Sequence, residues 1–237
     1  MVSADATPID LTVCIFAWNE AETLADVVRV ASRTLGEGVP SHEIVIIDDG
    51  STDGSGAIAD GLAEELPNVR VVHHDGNQGL GPVYRTGFET ARGRCLTFFP
   101  ADGQFATSIA VDFHRQLTSA ELDMVLGYLP ARPDPVGKVL SGIERVLYRT
   151  LLGPMPRFQG IFMIRTEVLR RISLTSRGRG WAIVMELILR VHRDGYRTRS
   201  VPTEIRPRLA GQSKVNNWRA IRANMTQLVA LRRVLRG

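Results

Sequence analysis

Short apolar runs, each ending abruptly in a polar cluster and each followed by a helical pattern, recur along the first hundred residues. Leu11–Ala17 (LTVCIFA) gives way to Trp18-Asn19-Glu20, and a helical pattern then runs to about Leu35. Residues 43–47 form a β-rich run that stops at Asp48-Asp49-Gly50-Ser51, and residues 53–66 fit a helix broken by Pro67-Asn68. Val69–His73 leads into a glycine-rich loop at 76–81 and a third helix to about Ala91. Residues 95–99 make a fourth strand, ending at Pro100 and followed by Ala101-Asp102-Gly103-Gln104. Strands of this uniformly apolar kind are buried on both faces, so the repeat predicts an α/β fold with a mostly parallel sheet between helices. In such a sheet ligands bind beyond the carboxyl ends of the strands, where the polar clusters fall. Carboxylates gathered at one rim repel one another unless a cation sits among them. A divalent metal carrying a phosphorylated ligand would meet that need, although Asp, Gly and Ser are also ordinary turn formers.

The 237 residues suit a single domain, with 44% hydrophobic and 23% charged residues. No window has the uninterrupted apolar length of a spanning helix, and the opening MVSADATPID lacks the features of a signal peptide. A cytoplasmic chain is the expectation. Its net charge of +4 is very unevenly spread: the first 156 residues hold 11 Lys and Arg against 21 Asp and Glu, and the remainder 18 against 4. A basic C-terminal third points to an anionic partner: nucleic acid, a membrane surface or phosphorylated molecules. Nucleic acid is disfavoured, because no reading motif or interleaved surface aromatics accompany the arginines. Cys14 and Cys95 sit in apolar runs and read as buried thiols. His73-His74 reads as strand-end polar residues rather than a metal pair. Neither a P-loop nor a dinucleotide fingerprint is present, since Gly76-Asn77-Gln78-Gly79-Leu80-Gly81 fails both spacings.

Beyond residue 105 the pattern predicts a helix at 107–117, strands at 123–127, 160–165 and 196–203, and helices at 136–152 and 181–193. The last of these contains Glu186. A basic loop runs through Lys214, and an amphipathic helix is expected from about Asn217. The basic amphipathic stretches 138–149 and 217–236 suit either packing on the domain or peripheral docking at the inner face of a membrane.

In order, the segments CIFAWNEAETL, IVIIDDGSTDGS, HHDGNQGLGPVYRTGFETARG, FFPADGQF, DMVLGY and RPRLAGQSK resemble family-2 glycosyltransferases of the GT-A fold. Within that family the chain is most similar to dolichol-phosphate mannose synthases and their bacterial polyprenyl-phosphate relatives. The resemblance implies one Rossmann-like domain, with a nucleotide-sugar half at 1–105, an acceptor half at 106–214 and the C-terminal helix at 215–237. It implies that Ala17, Trp18, Glu20, Asp49, Gly50, Asn77, Gly79, Ala101 and Asp102 bind the nucleotide sugar, with the Trp18 ring beside the base and Asp49 on base or ribose. Asp102 and Gln104 match the later part of an Asp-x-Asp-x-Gln site for Mg²⁺ or Mn²⁺. Arg208, Gly211, Ser213 and Lys214 match a late phosphate-binding loop. Asp102, Arg208 and Lys214 would carry catalysis, and Glu186 matches a helix carboxylate near the acceptor. Arg132, Arg208, Ser213 and Lys214 are then candidate ligands of an acceptor phosphate.

The implied reaction is an inverting transfer of a hexose, mannose first, from a GDP- or UDP-sugar to a polyprenyl phosphate. A departing diphosphate gains charge in the transition state, which metal and guanidinium groups stabilise. A phosphomonoester acceptor is already anionic, so it needs cations nearby rather than a general base. The same donor chemistry onto a soluble acceptor, or nucleotide-sugar binding without catalysis, are the alternatives. Three departures from the family pattern bear on the choice. Pro100 stands where the first metal-site aspartate is usual, Phe16 where a proline is usual, and Arg157 where an aspartate usually precedes the glycine matching Gly160. Arg157 is therefore a candidate for recognising a different acceptor.

Overall fold

The computed structural model describes residues 8–130 and 153–206. Seven strands form one sheet in the order β3-β2-β1-β4-β6-β5-β7. They are β1 (Leu11–Ala17), β2 (His42–Asp48), β3 (Val69–His73), β4 (Cys95–Pro100), β5 (Met124–Tyr128), β6 (Phe162–Arg165) and β7 (Thr198–Pro202). The described helices are α1 (Leu24–Gly38), α2 (Ser55–Glu65), α3 (Leu80–Thr90), α4 (Ser108–Ser119), α5 (Thr166–Arg171) and α6 (Ala182–Arg193). The helix expected at 136–152 and the C-terminal amphipathic helix lie outside the described residues.

The expected mostly parallel sheet is what forms. β1 pairs in parallel with β2 and β4, β2 with β3, and β5 with β7. Only β6 runs against its neighbours β4 and β5, so all the other strands point their carboxyl ends at one rim. The apolar runs are buried on both sides because alternate residues feed two cores. Leu11, Val13, Ile15, Ile44 and Ile46 join the core that contains Leu24, Val28 and Leu35 of α1. Cys14, Val45 and Ile47 join the opposite core with Val83 and Tyr84 of α3 and Leu187 and Ile188 of α6. Cys14 and Cys95 are buried free thiols, as expected. Each fully buried Leu or Ile in these layers contributes about 1.5–3 kcal/mol relative to exposure.

At the opposite rim a polar knot ties the strand starts together. The Thr12 hydroxyl donates to Glu43 at 2.7 Å, and Glu43 also accepts from the Arg92 N–H and from Arg70 at 2.9 Å each. That end is spent on structure, which leaves the carboxyl rim for ligands.

Candidate functional site

The strand register brings the polar clusters together. Ala17 is paired with Asp48, and Phe16 with Pro100, so the segments beginning at 18, 49 and 101 leave the sheet side by side. The Asp48–Ser55 segment then folds around the turn after β1. The Asn19 N–H donates to the Ser51 hydroxyl and the Glu20 N–H to the Ser55 hydroxyl, both at 2.9 Å, while the Ala21 N–H donates to Asp53 at 3.0 Å. Asn19 adopts φ 54°, a left-handed conformation that asparagine tolerates, and its side-chain oxygen accepts the Thr52 N–H at 2.8 Å. The turn thereby holds Trp18 38% exposed at the rim. On the other flank the Thr23 hydroxyl donates to the Ala101 carbonyl at 2.7 Å, fixing the start of α1 to the end of β4.

Asp49 is 4% exposed and its carboxylate faces inward. Oδ1 accepts from His74 Nδ1 at 2.7 Å and the Gln78 N–H at 2.9 Å; Oδ2 accepts from the Asn77 amide at 3.0 Å and the Gly79 N–H at 2.8 Å. The residues expected to bind nucleotide at this point are brought together, but these donors are spent on Asp49. Gly50 permits the approach: at φ 68° a Cβ would stand 2.3 Å from Gly76. The two histidines are latches. His73 pairs with Asp48 and Asp60 at 3.0 Å each, and its pKa is raised, first by Asp60 and then by Asp48.

Glu186 does not reach the surface. Its side chain is wholly buried and accepts from the Thr175 N–H at 3.0 Å, the Ser176 N–H at 2.7 Å and Arg190 at 2.9 Å. Burial works to raise its pKa, but the hydrogen bonds from Ser176 and Thr175 prevail and hold it below the ordinary carboxylate value. The carboxylate expected at the acceptor instead anchors a strap, residues 173–181, against the glycine-rich loop. There the Gly81 N–H donates to the Arg179 carbonyl at 3.0 Å, and the Arg179 guanidinium donates to Asn77. Arg85 donates to the Ser176 carbonyl from α3. Sequence reasoning missed Arg179 and the strap; the Gly-Arg-Gly at 178–180 signalled a turn but not its partner.

Asp102 is 4% exposed at the end of β4, and its Oδ1 accepts the Gln104 N–H at 3.0 Å. Pro100 leaves this loop one carboxylate. Among the described residues no three His, Cys, Asp or Glu side chains are grouped to hold a metal. Asp102 and Gln104 are by themselves too few for a protein-only cation cage. Residues from the second half of the chain reach the same loop twice: the Arg206 N–H donates to the Gln104 carbonyl at 2.8 Å, and Gly160 lies on the Phe105 ring. Arg132, Arg208, Gly211, Ser213 and Lys214 lie outside the described residues.

Residues 12–173 match the domain described as glycosyl transferase family 2. The chain belongs to glycosyl transferase family 2. It is 31% identical over 229 residues to polyprenol monophosphomannose synthase of Mycolicibacterium smegmatis, covering 90% of this chain and 84% of that one. It is 27% identical over 238 residues to glycosyltransferase AglD of Haloferax volcanii, covering 96% of this chain but only 38% of that relative's length. Among solved structures, mannosyltransferase PcManGT of Pyrobaculum calidifontis, in complex with GDP-Man and Mn²⁺, matches with a TM-score of 0.68 and 19% identity. That match covers 98% of this chain and 67% of that one. The family-2 glycosyltransferase fold, GT-A, is thus shared across the sheet and its rim.

Proposed function

We propose that this family-2 chain transfers a hexosyl group, mannosyl first, from a GDP- or UDP-sugar to a polyprenyl phosphate. The observation that carries the reading is the Asp102–Phe105 loop, which meets the donor clusters on one side and the 157–160 turn and Arg206 on the other. Transfer requires the donor diphosphate and the acceptor nucleophile to converge at one place. The mannosyl donor and lipid-phosphate acceptor follow the names of the relatives, a polyprenol monophosphomannose synthase and a mannosyltransferase holding GDP-Man.

In the proposed reaction an acceptor phosphate oxygen attacks the anomeric carbon as the bond from that carbon to the diphosphate breaks. The nucleoside diphosphate leaves with the bonding pair, and the configuration inverts. No proton need be removed from the acceptor, so cations rather than a base are required. Trp18 would lie along the base, while the Asp49-built wall of Asn77 and Gly79 closes the donor side. Asp102 and Gln104 would hold a divalent cation, Mg²⁺ or Mn²⁺, which when bound supplies Lewis-acid stabilisation of the diphosphate. Arg208 and Lys214 remain the proposed ligands of phosphate from the basic segment, with Arg132 and Ser213.

A thermal-shift screen of GDP- and UDP-sugars with Mn²⁺, followed by transfer assays with short polyprenyl phosphates, tests the proposal. One class of nucleotide sugar should stabilise the chain and be consumed only with the phosphate acceptor. A flat response to both donors would overturn it.

A further inference from the structure

Arg157 differs from the arginines that ion pairs hold in place. Arg29, Arg70, Arg190 and Arg197 each meet a glutamate, at 2.7, 2.9, 2.9 and 3.2 Å. Arg157 makes no ion pair among the described residues. Its guanidinium lies over the ring of Tyr128, 5.6 Å from the centroid, and the residue is exposed. An aromatic face orients a guanidinium without neutralising it, and leaves the planar N–H fork open to an oxyanion.

Its position is fixed from two directions. β5 runs the same way as β4, since both are antiparallel to β6, so Tyr128 ends at the rim that holds Asp102. The Gln159 N–H donates to the Gly127 carbonyl, and the Gly127 N–H to the Ile161 carbonyl, both at 2.7 Å. Gly160, at φ 107°, fits against Phe105, where a Cβ would come within 2.9 Å of the ring. The turn carrying Arg157 is therefore clamped between the end of β5 and the Asp102 loop. In the strand order Tyr128 lies two strands from β4, roughly 10 Å at the usual strand spacing, on the side away from Trp18 and Asp49. A fixed cation at that distance is placed for the acceptor rather than the donor base.

We infer that Arg157, oriented by Tyr128, is an acceptor-side anion site that selects a phosphomonoester over a neutral hydroxyl acceptor. This deepens the transfer reading above and rests on it for the word acceptor, but the anion site can be measured without turnover. A guanidinium fork binds phosphate through two parallel charge-assisted hydrogen bonds, which a hydroxyl cannot return.

The experiment compares binding of farnesyl phosphate and farnesol to the full chain by calorimetry, with Arg157→Ala, Arg157→Lys, Tyr128→Phe and Tyr128→Leu as variants. Farnesyl phosphate should bind more tightly than farnesol. Arg157→Ala should lose tenfold or more of the phosphate affinity while leaving farnesol binding and nucleotide-sugar thermal shifts unchanged. Arg157→Lys should recover part of the loss. Tyr128→Phe, which keeps the ring face, should resemble the parent, and Tyr128→Leu should fall between. Equal binding of farnesyl phosphate to the parent and Arg157→Ala, or no preference of the parent for phosphate over alcohol, would overturn the inference. Arg157-dependent phosphate binding without sugar transfer to farnesyl phosphate would sustain the anion site and sink the transfer reading alone.

Discussion

A carboxylate that accepts four hydrogen bonds while almost wholly buried has little capacity left for a ribose. Asp49 is in that position, and the groups it holds are His74 and the 77–79 loop. Asp49→Asn turns one acceptor oxygen into a donor that must face either His74 and Gln78 or Asn77 and Gly79. We expect a loss of about 2–4 kcal/mol in urea unfolding, with donor binding lost alongside. Trp18 is the opposite case. It is 38% exposed, so Trp18→Ala should cost less stability than Asp49→Asn. Donor affinity should nonetheless fall by about 1–3 kcal/mol if the ring stacks on the base, read by calorimetry with the nucleoside diphosphate. An unchanged affinity would remove Trp18 from the site. These two residues also mark what local sequence can reveal. Trp18 follows a strand and is exposed, as its pattern suggests. Asp49 is next to the same rim, yet its inward turn depends on Gly50 letting residue 76 approach, a contact 26 positions away.

At the scale of elements, the apolar runs were legible where burial on both faces dictates composition. β1 and β3 fall where the pattern puts them, and the other strands shift by one or two residues at their ends. The direction of β6 was not legible, because a short buried strand reads the same either way along the sheet. α5 was missed for a different reason: six residues directly after β6 are too few to show a helical period. The strap at 173–181 has no regular pattern at all, and Glu186 holds it from inside α6. Glu186→Gln keeps the shape but removes the charge that Arg190 and the Ser176 and Thr175 N–H groups address. We expect destabilisation of about 3 kcal/mol at neutral pH. The sign of its pH dependence follows from a lowered native pKa. The stabilisation is complete above the unfolded value near 4.3 and is lost as pH falls through the native value. The stability gap between the parent and Glu186→Gln should therefore narrow on acidification from pH 6 to pH 3, measured by urea midpoints. A gap that widens would show that the carboxylate does not act as a charged anchor.

Over the whole molecule, charge is divided along the chain in the same sense as the rim. The first 156 residues carry ten more acidic than basic side chains, and the last 81 carry fourteen more basic than acidic ones. Asp49 and Asp102 follow β2 and β4, while Arg157 and Arg206 lie on the flank of β5 and β7. No described helix is long and apolar enough to cross a membrane. If the acceptor is the lipid phosphate proposed above, the basic third is the part of the chain with the charge to approach an anionic bilayer surface. Each Lys or Arg near an anionic leaflet contributes about 1 kcal/mol, and the attraction falls off within a Debye length. That length shortens from about 10 Å at 0.1 M salt to about 3 Å at 1 M. The chain should therefore sediment with vesicles containing anionic lipid at low salt and be released as salt rises, while neutral vesicles retain little at any salt. Binding that ignores both lipid charge and salt would assign the arginines to the protein surface alone, and would favour an acceptor met in solution.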